Sequence, residues 1–296
     1  MRIVYADRYE FDLPGHIWPT SKYRRLAERL RADPSCRGSR FVEPAAATWD
    51  ELALVHGAAY LDAMRTHQLT PEQIATLELP WTAALADGFR LMVGGTCLAA
   101  SAALEDGRAL HIGGGLHHAF ANHGEGFCPF NDVAVAIRVL QRDGAIGRAA
   151  ILDADVHHGN GTAMIFERDP GVFTCSLHQQ HNYPMFKPRS DLDVGFEDGA
   201  GDDRYLTSLA ASLPCVFETG PDLLFYLAGA DPYEHDRLGG LALTKAGLRE
   251  RDRVVVERAT AAGVPLAVVL AGGYATEVED TVDIHAATAR VLGAGL

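Results

Sequence analysis

The segment Ile151-Leu-Asp-Ala-Asp-Val-His-His-Gly-Asn-Gly161 carries three side chains of metal-ligand type at a spacing of two: Asp153, Asp155 and His157. Side chains alternate faces along a strand, so these three point one way while Ala154 and Val156 point into packing on the other. Two carboxylates and an imidazole at the end of an apolar run are costly to hold together unless a cation neutralises them. A helix-capping aspartate would explain one acidic residue, not three ligand types at this spacing. Asp231 directly follows the apolar run 223–230 and adds a further carboxylate. With Asp155 and His157 it completes three ligands and leaves open positions, the pattern of a catalytic zinc site. The same ligand types also accommodate iron(II). Two tandem pairs, His117-His118 and His157-His158, each follow a strand-like run beside glycines. Tyr274 follows Gly272-Gly273 at another such end, where a plain Gly-Gly turn with a packed tyrosine would also account for it.

The chain that must position these groups has 296 residues, 48% hydrophobic and 22% charged, which excludes wholesale disorder and collagen-like order. Lys plus Arg number 26 against 39 Asp plus Glu, a net charge of −13. Such a surface is a poor partner for a polyanion, so no direct nucleic-acid contact is expected. Cys36, Cys97, Cys128, Cys175 and Cys215 are scattered without a Cys-x-x-Cys, which argues for a reducing compartment. No signal-peptide pattern opens the chain, and apolar runs such as 264–271 fall short of the ~18–20 residues of a spanning helix. The expectation is a cytoplasmic protein with no membrane span; nothing in the sequence sets an oligomeric state.

Apolar runs at 2–5, 109–112, 149–153, 172–177, 223–228 and 266–270 read as buried parallel strands. Helical patterns fill 21–31, 58–66, 81–104, 132–142, 202–217, 246–261 and 277–291. That alternation predicts an α/β domain spanning 1–296, a parallel sheet with helices on both faces and ligands at the carboxyl ends of its strands.

Seven ordered segments carry a family resemblance: Gly113-Gly-Gly-Leu-His-His118, Gly126-Phe-Cys128 with Asn131-Asp132, Asp153-Ala-Asp-Val-His-His-Gly-Asn-Gly161, Ser176-Leu-His178, Gly229-Ala-Asp231, Leu238-Gly-Gly-Leu241 and Gly272-Gly-Tyr274. Together they resemble the zinc-dependent histone deacetylase superfamily, which includes acetylpolyamine amidohydrolases and acetoin-utilisation proteins. The short chain and Asp236-Arg-Leu-Gly-Gly240 look most like the class IV branch; His158 departs from the glutamine expected there. The resemblance implies an arginase/deacetylase fold on an eight-stranded parallel sheet and zinc held by Asp155, His157 and Asp231. It implies that His117 and His118 are the acid/base pair, with His118 nearer the attacking water, braced by Asp153 and Asn160 respectively. Tyr274 matches the oxyanion-stabilising tyrosine, and Phe127 and Tyr183 match the aromatic walls of an acyl-lysine tunnel. Gly126, Leu238, Gly272 and Gly273 fall to substrate binding by the same match. Asp153, Asp155, His157, Ser176 and Leu177 match a potassium site. The implied activity is removal of acetyl or longer fatty-acyl groups from the ε-amine of lysine, with acylated polyamines or other small amides as the alternative substrates.

Two rivals share some of these features. A dimetal ureohydrolase of the arginase type would carry a second aspartate two positions after Asp231, where Tyr233 stands. A non-catalytic acyl-lysine binder would be favoured by loss of Tyr274 or a histidine, and neither is lost. Asp132 reads as a plain helix N-terminal acid. Arg24-Arg25 and the arginines of 249–253 read as solvated helix surface. His16 reads either as a loop residue near the pocket mouth or as a structural histidine, and His123, His178 and His181 are assigned no chemistry.

Overall fold

The computed structural model describes residues 1–294. Eight parallel strands form one sheet: β1 (Arg2–Val4), β2 (Arg40–Val42), β3 (Arg108–His111), β4 (Ala149–Asp153), β5 (Val172–Gln179), β6 (Leu192–Phe196), β7 (Leu223–Leu227) and β8 (Leu266–Val269). Their order is β2-β1-β3-β8-β7-β4-β5-β6. Among the described residues ten α-helices accompany them: α1 (Ser21–Ala32), α2 (Trp49–Leu52), α3 (Ala58–Thr66), α4 (Pro71–Leu77), α5 (Ala83–Asp106), α6 (Asp132–Arg142), α7 (Asn160–Phe166), α8 (Asp202–Glu218), α9 (Lys245–Ala262) and α10 (Val278–Gly293). The eight-stranded parallel α/β architecture is the one expected.

The period-two alternation of the strands builds two cores. Ala149 and Ile151 of β4 pack with Ala99, Ala103, Ile137 and Phe166 of α5, α6 and α7. Ala150 and Leu152 face the other way, into the cluster of α1, α8, α9 and α10. Burial on both sides explains why the central strands read as unbroken apolar runs. The two strands absent from the sequence reading, β2 and β6, are the sheet edges; each leaves part of its length exposed and lacks that run. Helix α5 is long and apolar enough, by length and composition, to cross a membrane, which the reading of short apolar runs missed. It is mostly buried and packs against α6 and the sheet, as a core helix does.

Four strands that neighbour one another in space, β3, β8, β7 and β4, are scattered in sequence. Their carboxyl ends therefore deliver residues 112–118, 270–274, 228–231 and 154–157 to one region of the rim. This is the switch region of the sheet, where the chain leaves β3 and reaches β4 only across the places of β8 and β7.

Arg251 of α9 braces two of these loops from below. Its Nη1 donates to Gly229 O at 2.6 Å and Ala154 O at 3.3 Å, and its Nε donates to Asp252 Oδ1 at 2.9 Å. Arg251 is fully buried, so the expectation of a solvated arginine face fails at this position. The inner stripe of α9 carries Leu248, Arg251, Asp252, Val255 and Val256, and the ion pair with the bare loop carbonyls accounts for the charge inside.

Two consequences can be measured. Arg251→Met leaves Asp252 buried without its cation and is expected to lower the unfolding free energy by about 3–5 kcal/mol; denaturant titration at an unchanged midpoint would contradict this. The second consequence concerns pH. His56 Nδ1–H donates to Phe120 O and its Nε2 accepts from Asn131 N, a neutral imidazole fully used. Burial lowers His56 to about 4 and His111 to about 3, against about 6.5 in an unfolded chain. Between these values the unfolded state binds protons that the folded state refuses, so stability is complete above pH ~6.5 and is lost as pH falls. The urea midpoint is expected to drop from pH 7 to pH 5; a flat profile would contradict it.

Candidate active site

Strand β4 ends at Asp153; Ala154 N still donates to Leu227 O at 3.0 Å, and the next three residues, 155–157, bend away. Asp153 Oδ1 accepts from Asp155 N at 3.1 Å, and Asp155 Oδ1 accepts from His157 N at 3.0 Å. Each carboxylate thus folds the chain back upon itself, while Ala154 and Val156 stay in the core on the other face. From the end of β7 comes Asp231, whose Oδ1 accepts from Val156 N at 2.9 Å. His157 Nδ1 lies 3.0 Å from Asp155 Oδ1 and 3.4 Å from Asp231 Oδ2. One ligand atom from each of the three lies within 4.8 Å of the others. All three are buried, and Asp231 Oδ2 has no hydrogen-bond partner.

The electrostatics ask for a cation. Burial disfavours charge on His157, yet the hydrogen bond to Asp155 and the charges of Asp155 and Asp231 outweigh it and raise the imidazole to about 10. Burial and then the charge of Asp155 push Asp231 up, while His117 and His157 overcome burial to hold Asp155 down. A divalent ion would satisfy the same demand with His157 neutral. Gly272 lies beneath: its N–H donates to Asp155 Oδ2 at 2.8 Å, and a Cβ there would stand 1.9 Å from Asp231 Oδ2. The buried orphan oxygen, the N/O donor set and this glycine floor together fit a bound metal.

The tandem histidines arrive from the loop after β3. Asp132, in the first turn of α6, accepts from Gly115 N at 3.0 Å and Leu116 N at 2.7 Å, as well as from Thr96. The plain helix-acid reading of Asp132 therefore falls short: it is buried and clamps the two residues before His117. His117 Nδ1–H donates to Asp153 Oδ2 at 2.6 Å, and His118 Nδ1–H donates to Asn160 Oδ1 at 2.7 Å. The two Nε2 atoms face each other at 3.1 Å. Burial opposes a charged His117, but Asp153 and Asp155 raise it to about 9. Burial and then the charges of His117 and His157 drive His118 well below its ordinary value. The surroundings thus favour charge on His117 and disfavour it on His118.

A pocket of about 160 Å³ opens over these groups, lined by Glu78, His118, Gly126, Phe127, His157, Asn182, Tyr183, Leu238 and Tyr274. Phe127 has φ +67°, a strained value for a non-glycine residue. Its N–H donates to Leu77 O at 2.9 Å and that of Gly126 to Thr76 O at 3.1 Å, so the end of α4 sets this wall. His16 is not part of the lining; its ring packs 4.7 Å from that of Phe127, and its Nε2 lies 3.0 Å from Glu78 O. Tyr183 stands perpendicular to His118 at 4.9 Å. Tyr274 N donates to Asp236 Oδ2 at 2.6 Å, and Asp236 Oδ1 accepts from Leu238 N at 2.8 Å. Of the residues expected to meet substrate, Gly272 and Gly273 are not on this wall; Gly272 abuts the carboxylates, and Gly273 O accepts from Lys22 Nζ at 3.1 Å. Ser176 is the register partner of Asp153 across β4 and β5, and the Leu177 side chain lies in the opposite core.

Three residues escaped the sequence reading. Lys22 of α1 is buried, with Nζ 5.2 Å from the Tyr274 ring; burial lowers it to about 8 against the opposing pull of Asp231. Glu125 Oε1 accepts from Asn160 Nδ2 at 2.7 Å and from Tyr183 OH at 3.1 Å, tying the His118 brace to the pocket wall. Asp236 was seen only as part of a subfamily motif. No signal separates Lys22 or Glu125 from surface charges, whereas Asp236 falls in a Gly-Gly turn segment of the kind that marks a site.

Comparison with known proteins identifies the family. The family model of the histone deacetylase domain matches residues 16–289. A relative described only as an uncharacterized protein of Picosynechococcus is 43% identical, covering 96% of this chain and 95% of the other. Histone deacetylase 2 of Arabidopsis thaliana is 32% identical, covering 92% of this chain and 74% of its own. The crystal structure of the HDA15 HD domain superposes with a TM-score of 0.81 at 26% identity, over all of this chain and 91% of that one. A matched family model across nearly the whole length and a superposable fold lead to one conclusion: the chain belongs to the histone deacetylase family of amide hydrolases.

Proposed function

We propose that this member of the family is a zinc-dependent amidohydrolase that removes a short acyl group from the ε-amine of lysine or from a lysine-like amine. The observation that carries this reading is the meeting of Asp155, His157 and Asp231 with His118 and Tyr274 at one pocket. Asp155, His157 and Asp231 would hold the ion, with iron(II) an alternative for the same ligands. When bound, such an ion acidifies a water and polarises a carbonyl.

The chain's own residues supply the rest. His118 lines the pocket and His117 does not, so His118 is the group that exchanges protons with water and substrate. Its Nδ1–H is committed to Asn160, which leaves Nε2 as the basic atom. A neutral His118 takes the proton of the attacking water. Once charged beside His117 it is a strong acid, well matched to protonating the departing amine. Desolvation, then the charges of Asp155 and Asp231, hold the Tyr274 hydroxyl well above its usual pKa, so it remains a donor to the developing oxyanion. Phe127 and Tyr183 flank the alkyl stem. At about 160 Å³ the pocket lies below the ~300–1,000 Å³ typical of larger ligands, which supports a short acyl group such as acetyl. The net charge of −13 supports a cationic partner carrying that group. A potassium ion is assigned to Asp153, Asp155, His157, Ser176 and Leu177, beside the ligand triad, on the pairing of Asp153 with Ser176.

Acetyl-lysine peptide hydrolysis is expected to vanish on chelation and return with zinc. Tyr274→Phe is expected to lower kcat by ~10²–10³-fold, about 2.7–4 kcal/mol, and His118→Ala by ~10²–10⁴-fold. Equal activity of the chelated and zinc-loaded chains would refute the proposal.

A further inference from the structure

A second group of ligand-type side chains lies one step along the same rim. His158 follows His157 after the bend beyond β4, His178 is the second-to-last residue of β5, and Asp193 lies on β6. One ligand atom from each lies within 4.8 Å of the others. His158 Nε2 and Asp193 Oδ1 are 3.1 Å apart, and the rings of His158 and His178 meet at 4.6 Å and 87°. We propose that His158, His178 and Asp193 form an outer site for a divalent first-row cation such as zinc.

Four observations carry this. Two imidazoles and a carboxylate are a recurrent zinc donor set. His158 is fully buried, and its Nε2 is turned toward Asp193 Oδ1 at 3.1 Å and Ser190 Oγ at 3.5 Å, so the nitrogen that faces the group is already oriented. The Asp193 side chain is 32% exposed, which gives an ion access and leaves room for water to complete its shell. Neighbours hold the ligands in place: Ser190 N donates to Asp193 Oδ2 at 3.0 Å, and Ser176 Oγ lies 3.0 Å from His178 Nδ1. This also gives a role to His158, the residue at odds with the class IV pattern, and to His178, assigned none from sequence.

The site has a consequence for the pocket. His178 and Asp193 stand on the strands at the two feet of the loop 180–191, which carries Asn182 and Tyr183. An ion joining them to His158 staples the base of that loop to the strand end bearing Asp155 and His157. The outer site thus stands apart from the proposed zinc centre, although the two share the 154–158 segment.

The test counts metal in the full chain, stripped by chelator, incubated with excess zinc and passed through a desalting column. The parent chain is expected to retain two equivalents; His178→Ala, Asp193→Ala and Asp231→Asn one each; and the Asp231→Asn, His178→Ala double variant none. The inference is overturned if the Asp231→Asn chain retains no zinc. It is equally overturned if His178→Ala and Asp193→Ala, folded by circular dichroism, retain as much as the parent. Failure of the central zinc reading has a different signature: one equivalent in the parent, lost in His178→Ala and untouched in Asp231→Asn.

Discussion

Two buried carboxylates that share one imidazole, at the carboxyl ends of β4 and β7, are the constraint to which the surrounding structure answers. Asp155 and Asp231 lie within reach of one imidazole and almost out of water. Carboxylates in such a place need a cation and fixed dipoles around them. The dipoles are visible: backbone N–H groups of Val156, His157 and Gly272 all point at these oxygens. Arg251 holds the loops in place through carbonyls one or two residues before each acid, from the side away from the pocket. The imidazole they share, His157, faces the pocket, where His118 and Tyr274 also stand.

The topology explains how few residues suffice. Because β8 and β7 insert between β3 and β4, four loops far apart in sequence become neighbours without any long excursion of the chain. Tight contacts follow. Gly272 has no space for a side chain, and Phe127 accepts a left-handed backbone so that its ring can face Tyr274 at 6.1 Å. Such positions are tolerable only where hydrogen bonds over-determine the backbone, as Leu77 O and Thr76 O do here.

The central strands were legible because burial on both faces leaves an apolar run, and the Asp155–His157 pair because its ligand types break that run at a regular spacing. The edge strands β2 and β6 were not, since exposure dilutes the same pattern. Short helices were missed as well: α4 begins with Thr70, Pro71 and Gln73, a capping box that local chemistry could have revealed. Lys22 and Arg251 were illegible for a deeper reason. Lysine and arginine are almost always surface residues, and only the folded backbone brings bare carbonyls around a buried one. The grouping of His158 with His178 and Asp193 depends on β6, so it could not emerge before that strand was placed.

The central claim is most directly tested by anomalous diffraction at the zinc edge from crystals of the zinc-loaded chain. The account predicts an ion about 2.0–2.2 Å from Asp155, His157 and Asp231, with its open side toward His118 and Tyr274. Density for the ion away from these three residues, or Asp231 Oδ2 turned from it, would contradict the account.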